Sequence, residues 1–170
     1  AAYPEAAAVF HEADEVLGFG LSRTIMAGNE NELRKTEITQ PAVLATSIAV
    51  WSVLQEKGLK PDAVAGLSLG EYSALVCAGV LSFHEAILLV YKRAQFMQEI
   101  VPLDEGGMAA VLGLTPEQVE LLCTESLPYG HVEPANYNCP GQIVVAGHKG
   151  AVAEVCRRAS QARARAIMLS

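Results

Sequence analysis

The chain has 170 residues, 51% of them apolar and 18% charged, enough for a packed domain with a small satellite, which excludes a disordered protein. Its net charge of -7 gives no general case for binding nucleic acid or an anionic membrane surface. The four cysteines include no C-x-x-C pair and the histidines are scattered, so we expect no metal and a reducing, cytoplasmic compartment. The 170 residues contain no charged-then-apolar pattern of a signal peptide, and we expect no membrane span, because Ser, Thr or Glu interrupts the most apolar stretches before they reach spanning length.

The first hundred residues are predicted to be mostly helical around a single strand. A first helix runs through Tyr3–Val16 and is stopped by Gly18. The polar stretch 29–39 is expected to form a surface loop with short helical turns. A long helix then begins at Thr39-Gln40-Pro41, since proline suits a first helical turn, and continues to Glu56. Because this helix is apolar nearly all round, we expect it to be buried.

The pentapeptide Gly66-Leu67-Ser68-Leu69-Gly70 lies between a predicted strand, Ala63-Val64-Ala65, and a predicted helix, Glu71–Ala78. A serine with glycine at both second neighbours fits a sharp strand-to-helix turn that exposes its hydroxyl. The free N–H groups at the start of the helix suit a developing oxyanion. A flexible Gly/Ser turn without chemistry is the alternative, but this context favours Ser68 as a nucleophile in acyl transfer.

Arg93 is the second candidate site residue. It lies on a helix predicted over Ser82–Ile100, on the same face as Leu89, Val90 and Met97, and so interrupts an apolar stripe. A guanidinium in such a place needs an anion to offset its desolvation, which makes Arg93 a candidate clamp for a substrate carboxylate. The residues alone leave open an arginine whose head reaches water or pairs with an internal acid.

A serine nucleophile needs a general base, and the sequence does not identify one. The chain has four histidines: His11, His84, His131 and His148. None has a neighbouring acid at a spacing that marks a catalytic pair, so each is better interpreted as a solvated or capping residue.

After Pro102 and the 104–107 cluster, the pattern changes to alternating short strands and helices. Predicted strands cover 108–114, 131–137, 142–147 and 165–170, and predicted helices cover 115–125 and 149–161. This βαββαβ order is that of the ferredoxin-like unit. The amide-rich segment 136–142 is ordinary hairpin chemistry, with a polar cleft as the alternative. Five of the six charged residues from residue 149 onward are basic. Because arginines on one short helix are common, we interpret them as a solvated helix face, with a surface for an acidic partner as the alternative.

Five longer motifs occur in order along the chain: Thr39–Ala42, Gly66–Ala86, Arg93–Glu99, Gly106–Leu114 and Asn136–Lys149. With them, the chain resembles the malonyl-CoA:acyl carrier protein transacylases of bacterial fatty acid synthesis nearly end to end. The resemblance implies an α/β fold: an α/β-hydrolase-like large subdomain, incomplete here, over residues 1–101, and an inserted ferredoxin-like small subdomain over residues 102–170.

The resemblance also implies a role for each site residue. Ser68 would carry the malonyl group as an ester, the backbone N–H of Leu69 would form part of the oxyanion hole, and Arg93 would hold the malonyl carboxylate. Met97 and Asn138 would lie by the acyl pocket. The implied substrate is malonyl-CoA and the implied partner is acyl carrier protein, for a cytoplasmic monomer without cofactor, metal, nucleic acid or membrane.

The chain departs from the family pattern in three places. Leu67 stands where the family usually has histidine. A glycine- and glutamine-rich turn after the family's N-terminal strand is absent, and so is the catalytic histidine, which the family places shortly after a strand like Ala164–Ser170. We therefore interpret the chain as the middle portion of a longer enzyme and expect the 170 residues alone to be inactive, because losing a triad base costs several orders of magnitude in rate.

Three other interpretations remain open. An acyltransferase domain of a polyketide or fatty acid megasynthase would have covalently attached neighbouring domains. A serine esterase would use the same turn to hydrolyse simple esters, without depending on Arg93. A structural or carrier-binding module would bind carrier protein through the basic C-terminal region and acquire no acyl group.

Overall fold

The computed structural model of the protein describes residues 3–100 and 105–169. The chain forms two compact units, Ala1–Ile100 and Val101–Ser170. Along the described part of the chain, the helices of the first unit come first and the strands of the second unit follow.

The first unit consists of helices. They are α1 (Pro4–Leu17), α2 (Leu21–Ala27), α3 (Glu30–Leu33), α4 (Thr36–Glu56), α5 (Leu69–Cys77) and α6 (Phe83–Ile100). The predicted end of the first helix is confirmed, since Gly18 caps α1 in the left-handed conformation with φ of 74°. The predicted start of α6 is confirmed as well: the Ser82 hydroxyl accepts from the Glu85 N–H at 3.2 Å, and the Glu85 carboxylate accepts from the Ser82 N–H at 2.9 Å.

The predicted strand Ala63-Val64-Ala65 is wrong for this structure. The segment from residue 59 to residue 67 is irregular and exposed, and no strand is assigned anywhere within residues 3–100. A strand exists only where a neighbouring strand satisfies its N–H and C=O groups, and this unit offers none among its described residues. The segment nevertheless leads directly into the serine turn, as predicted.

Helix α4 differs from its prediction in start and in burial. It begins at Thr36 and carries Pro41 inside the helix rather than at its first turn. Leu44, Ala45 and Ile48 are buried in the core of the unit, but Val43 and Val50 on the other side are 48% and 56% exposed. The helix is therefore buried along one side only, whereas its composition predicted burial all round.

Helix α4 is long enough and apolar enough to cross a membrane. The prediction that every apolar stretch is interrupted before it reaches membrane-spanning length is therefore wrong for this helix. Its length and composition are weak evidence for a membrane span, because the core helix of a soluble protein passes the same test. Contacts with α1, α5 and α6 cover its buried side.

The second unit has the predicted βαββαβ order. Its elements are β1 (Gly106–Leu112), α7 (Pro116–Ser126), β2 (Val132–Cys139), β3 (Gln142–His148), α8 (Lys149–Gln161) and β4 (Arg165–Leu169). The strands form one antiparallel sheet in the order β2-β3-β1-β4. Thr115 and Gln118 form the capping box that starts α7, and a tight turn at Pro140-Gly141 joins β2 to β3.

One face of this sheet makes the core of the second unit. Ala109, Val111 and Val145 point to this face and pack with Val119 of α7 and Val152 of α8. The sequence of each strand alternates accordingly, since successive side chains point to opposite faces.

The arginines of α8 are not simply a solvated face. Glu154 is 7% exposed and binds both Arg157, at 2.6 Å, and Arg158, at 2.8 Å. Arg158 also pairs with Glu125 of α7, so part of the basic charge is neutralised within the unit.

Candidate active site

Ser68 occupies a strained turn immediately before α5. Its backbone has φ of 54° and ψ of -113°, a conformation that residues with a Cβ rarely adopt, and it is exposed. Such strain is stored where the fold needs a side chain to project from a turn. The predicted sharp turn at Ser68 is therefore confirmed, with the strain located in the serine itself.

Gly66 is the residue that lets this turn close. A Cβ at this position would lie 2.0 Å from both the carbonyl carbon and the carbonyl oxygen of Gly70. No side chain fits in that space, so the approach of the two backbone segments requires glycine at 66. A Cβ at Gly70, in contrast, would meet no atom within 4 Å. Gly70 therefore leaves open space beside the serine, as the sequence predicted.

Helix α5 begins at Leu69 and directs backbone donors toward the turn. The N–H groups of Gly70 and Glu71 are bonded to the carbonyl oxygens of Leu67 and Ser68, at 2.9 Å and 3.3 Å. Within the described part of the chain, the N–H of Leu69 makes no backbone hydrogen bond. Together with the positive end of the helix dipole, this leaves a donor for an anion next to the Ser68 hydroxyl.

Arg93 lies beside Ser68. From α6, its Nη2 donates a hydrogen bond to Oγ of Ser68 at 2.9 Å, and its Nη1 donates to Oε1 of Gln40. Arg93 is half-buried at the border of the core, since Val90 is fully buried whereas Leu89 and Met97 are each 48% exposed. Arg93 therefore borders an open face instead of interrupting a buried stripe, and neutral oxygens, not an internal acid, accept from it.

Gln40 is a site residue that the sequence analysis missed. It is only 7% exposed, and its Nε2 donates to Sδ of Met97 at 3.3 Å. The available signal was a polar residue at the entrance of an otherwise apolar helix, within the Thr39–Ala42 motif. Buried polar groups require partners, and Gln40 finds both of its partners on α6.

The two pocket residues implied by the resemblance lie in different units. Met97 is next to Arg93 on α6, and both line a shallow apolar groove with Leu89, Lys92 and Phe96. Asn138 is exposed on β2 of the second unit, just before the hairpin turn. The acyl-pocket role of both residues stays a prediction.

No histidine is hydrogen-bonded to Ser68 among residues 3–100 and 105–169. His11 lies 3.4 Å from Glu15 on the exposed side of α1, and His131 lies 3.7 Å from Glu133. The ring of His148 accepts from the backbone N–H of His131 at 3.0 Å. In this same part of the chain, no group of three His, Cys, Asp or Glu side chains is arranged to hold a metal ion.

The geometry brings together an exposed hydroxyl, a free helix N–H and a guanidinium fork. The hydroxyl can attack a carbonyl, the N–H can bind the resulting oxyanion, and the guanidinium can bind a carboxylate on the same acyl group. This combination suits covalent transfer of an acidic acyl group.

Comparison with known proteins identifies the family of the chain. The sequence profile of the acyl transferase domain matches residues 2–169. The malonyl CoA-acyl carrier protein transacylase of Salmonella typhimurium is 48% identical over 166 residues, which cover 95% of this chain and 54% of that protein.

The chain is also similar in sequence and in fold to solved structures. A malonyl-transacylase in complex with a type II polyketide acyl-carrier protein is 47% identical, with a TM-score of 0.91 over 99% of this chain and 55% of that one. The malonyl CoA-acyl carrier protein transacylase of Clostridium perfringens is 44% identical, with a TM-score of 0.88 over 98% of this chain and 53% of that one. The chain thus spans about half the length of the curated relatives it matches. It belongs to the acyl transferase domain family, and its predicted resemblance to the malonyl-CoA:acyl carrier protein transacylases is confirmed.

Proposed function

We propose that the protein transfers a malonyl group from malonyl-CoA to the phosphopantetheine thiol of acyl carrier protein, through an ester on Ser68, in fatty acid biosynthesis. The observation that carries this proposal is the 2.9 Å hydrogen bond from Arg93 to the Ser68 hydroxyl. A guanidinium at that distance from Ser68 favours an acyl group with a free carboxylate, because beside an acetyl group its charge would face only the neutral oxygens of Ser68 and Gln40.

The reaction has two displacement steps. Oγ of Ser68 attacks the malonyl thioester carbonyl, the C–S bond breaks and coenzyme A leaves as its thiol. The thiol of the carrier protein then attacks the seryl ester, the C–O bond breaks and the Ser68 hydroxyl is restored. The backbone N–H of Leu69 would donate to the oxyanion formed in each step. Arg93 would give up its hydrogen bond to the Ser68 hydroxyl and bind the malonyl carboxylate instead. The family assigns the proton transfers to a histidine.

We also propose a fold class for each of the two units. Residues 1–101 would belong to an α/β-hydrolase-like subdomain, which the strained serine turn before α5 supports. Residues 102–170 would form a ferredoxin-like subdomain, which the βαββαβ order and the strand order β2-β3-β1-β4 support. We further propose a cytoplasmic monomer that uses no cofactor, and place Met97 and Asn138 by the acyl pocket.

The test is the intact mass of the full-length protein before and after exposure to malonyl-CoA, with acetyl-CoA in parallel and Ser68→Ala as the control. We expect one malonyl adduct, mapped to Ser68 by peptide analysis and absent from the Ser68→Ala variant. Addition of holo-acyl carrier protein should remove the adduct and produce malonyl-carrier protein.

Two outcomes would contradict the proposal. Rapid hydrolysis of simple esters without a malonyl adduct would favour a serine esterase. Binding of carrier protein without any adduct on Ser68 would favour a carrier-binding module. A parent chain that carries further covalently attached domains would indicate a megasynthase acyltransferase with the same chemistry.

A further inference from the structure

We propose that Gln40 is the positioning residue that sets the guanidinium of Arg93 over Ser68 and thereby determines the preference for acyl groups that carry a carboxylate. This inference rests on the proposed function, and it concerns a residue that touches Arg93 rather than the reacting atoms. Hydrogen bonds connect Ser68 to Arg93, Arg93 to Gln40, and Gln40 to Met97.

Gln40 carries a buried polar side chain. Gln40 is 7% exposed and lies on α4 next to the buried residues Pro41 and Ala42. An amide buried without partners costs free energy, so a glutamine at this position needs acceptors and donors close by. Both halves of the amide are used: Oε1 accepts from Arg93 and Nε2 donates to Met97.

The chemistry of its two partners fixes the direction of the Gln40 amide. A guanidinium only donates and a thioether only accepts, so the oxygen must face Arg93 and the nitrogen must face Met97. The amide therefore holds Nη1 of Arg93 in one place and leaves Nη2 directed at the Ser68 hydroxyl. Without this anchor, a long half-buried arginine would be free to move its head toward water.

The Gln40 side chain that anchors Arg93 is uncharged. A glutamate at this position would hold the guanidinium equally well, but it would also cancel the positive charge that a substrate carboxylate has to find. A neutral amide fixes the position of the charge without neutralising it. This explains why a glutamine, rather than an acid, supports an arginine that recognises an anion.

The experiment uses Gln40→Glu and Gln40→Met in the full-length protein, with Gln55→Glu as the matched control. Gln55 is exposed near the end of the same helix, so its replacement makes the same charge change away from the site. The readouts are kcat and KM for malonyl-CoA and for acetyl-CoA at pH 8. The rate at which a neutral aryl sulfonyl fluoride labels Ser68 reports separately whether the serine turn is intact.

For both Gln40 variants, we expect the ratio of kcat/KM for malonyl-CoA to that for acetyl-CoA to fall by about tenfold or more. In Gln40→Glu the loss should lie mainly in a raised KM for malonyl-CoA, while labelling of Ser68 stays within about threefold of the wild-type rate. Gln55→Glu should leave the ratio unchanged.

An unchanged ratio in both variants, with normal labelling, would overturn the proposal while leaving the malonyl transfer intact. Loss of labelling in both variants would also overturn it, because Gln40 would then serve the packing of the helices. If the wild-type protein itself acquires no malonyl group on Ser68, the proposed function fails and this inference falls with it.

Discussion

The guanidinium of Arg93 and the hydroxyl of Ser68 are joined by a hydrogen bond of 2.9 Å, although 25 positions separate them in the chain. Ser68 precedes α5 and Arg93 lies in the middle of α6, so the packing of these helices in the first core sets the distance between them. The proposed nucleophile and the group proposed to recognise its substrate are therefore held by the same helical core.

Replacement of Arg93 by alanine tests the proposed carboxylate clamp. We expect kcat/KM for malonyl-CoA to fall by about a hundredfold or more, and the preference over acetyl-CoA to be lost, because no charge remains to pair with the carboxylate. The measurement is malonyl and acetyl transfer to holo-acyl carrier protein by the full-length protein. Arg23→Ala is the control, since Arg23 is an exposed cation on α2. An unchanged malonyl preference in Arg93→Ala would refute the clamp.

A pair of glycine substitutions tests the geometry of the serine turn. Gly66→Ala should destabilise the protein by about 1–3 kcal/mol and abolish labelling of Ser68, because the new methyl group would overlap the backbone of Gly70. Gly70→Ala should leave stability unchanged or raise it by up to about 1 kcal/mol, because its methyl group meets nothing and alanine favours a helix. Urea unfolding of both variants provides the comparison, and equal stabilities would show that the turn tolerates a side chain at 66.

The ion pairs of Glu154 should make stability depend on pH in the acid range. Hydrogen bonds from Arg157, and then from Arg158, lower the pKa of Glu154 from its ordinary value of 4.5 to about 2. A lowered pKa stabilises the folded state above pH 4.5, and this contribution disappears as the pH falls toward 2. The free energy of unfolding should therefore exceed that of Glu154→Gln by a constant amount from pH 8 to about pH 5, and the difference should shrink below that.

Urea unfolding of the two proteins at a series of pH values measures this difference. A gap that stays constant down to pH 2 would mean that the carboxylate charge contributes nothing. A difference that grows on acidification would mean that folding raises the pKa of Glu154 instead of lowering it.

The cysteines should differ strongly in reactivity. Burial, and then the charges of Glu120 and Glu133, raise the pKa of Cys123 to about 11, so about one thiol in a thousand is ionised at pH 8. Cys139 is exposed at the end of β2. Iodoacetamide at pH 8 should therefore modify Cys139 first and Cys123 only after unfolding, as measured by peptide mass. Early modification of Cys123 in a folded Cys139→Ser variant would show that the second core opens readily.

The second unit was predictable because its signals are local. Thr115 and Gln118 form a capping box three residues apart, and Pro140-Gly141 specifies the hairpin turn between two alternating strands. Each signal acts over a few residues, so its outcome does not depend on what the rest of the chain does. The order of the six elements follows directly from them.

The failures in the first unit concern properties that distant residues decide. The segment Ala63-Val64-Ala65 has the composition of a strand, but a strand requires a partner. Gln40 acquires its place from Arg93, 53 positions away, and no local pattern carries that information. The sequence identified Ser68 and Arg93 because each breaks a local rule, a serine between glycines and a charge beside apolar residues. Gln40 breaks a weaker rule and was overlooked.

Each unit has a hydrophobic core of its own, one centred on Leu44 and Ile87 and the other on Val111 and Val145. Heat-induced unfolding then need not be a single all-or-none event, and one melting temperature would average over two transitions. Ser68, Arg93 and Gln40 all belong to the first unit, so the thermal tolerance of this cluster follows that unit's own transition. A substitution in the second core can shift the overall melting curve while the serine and its arginine keep their spacing.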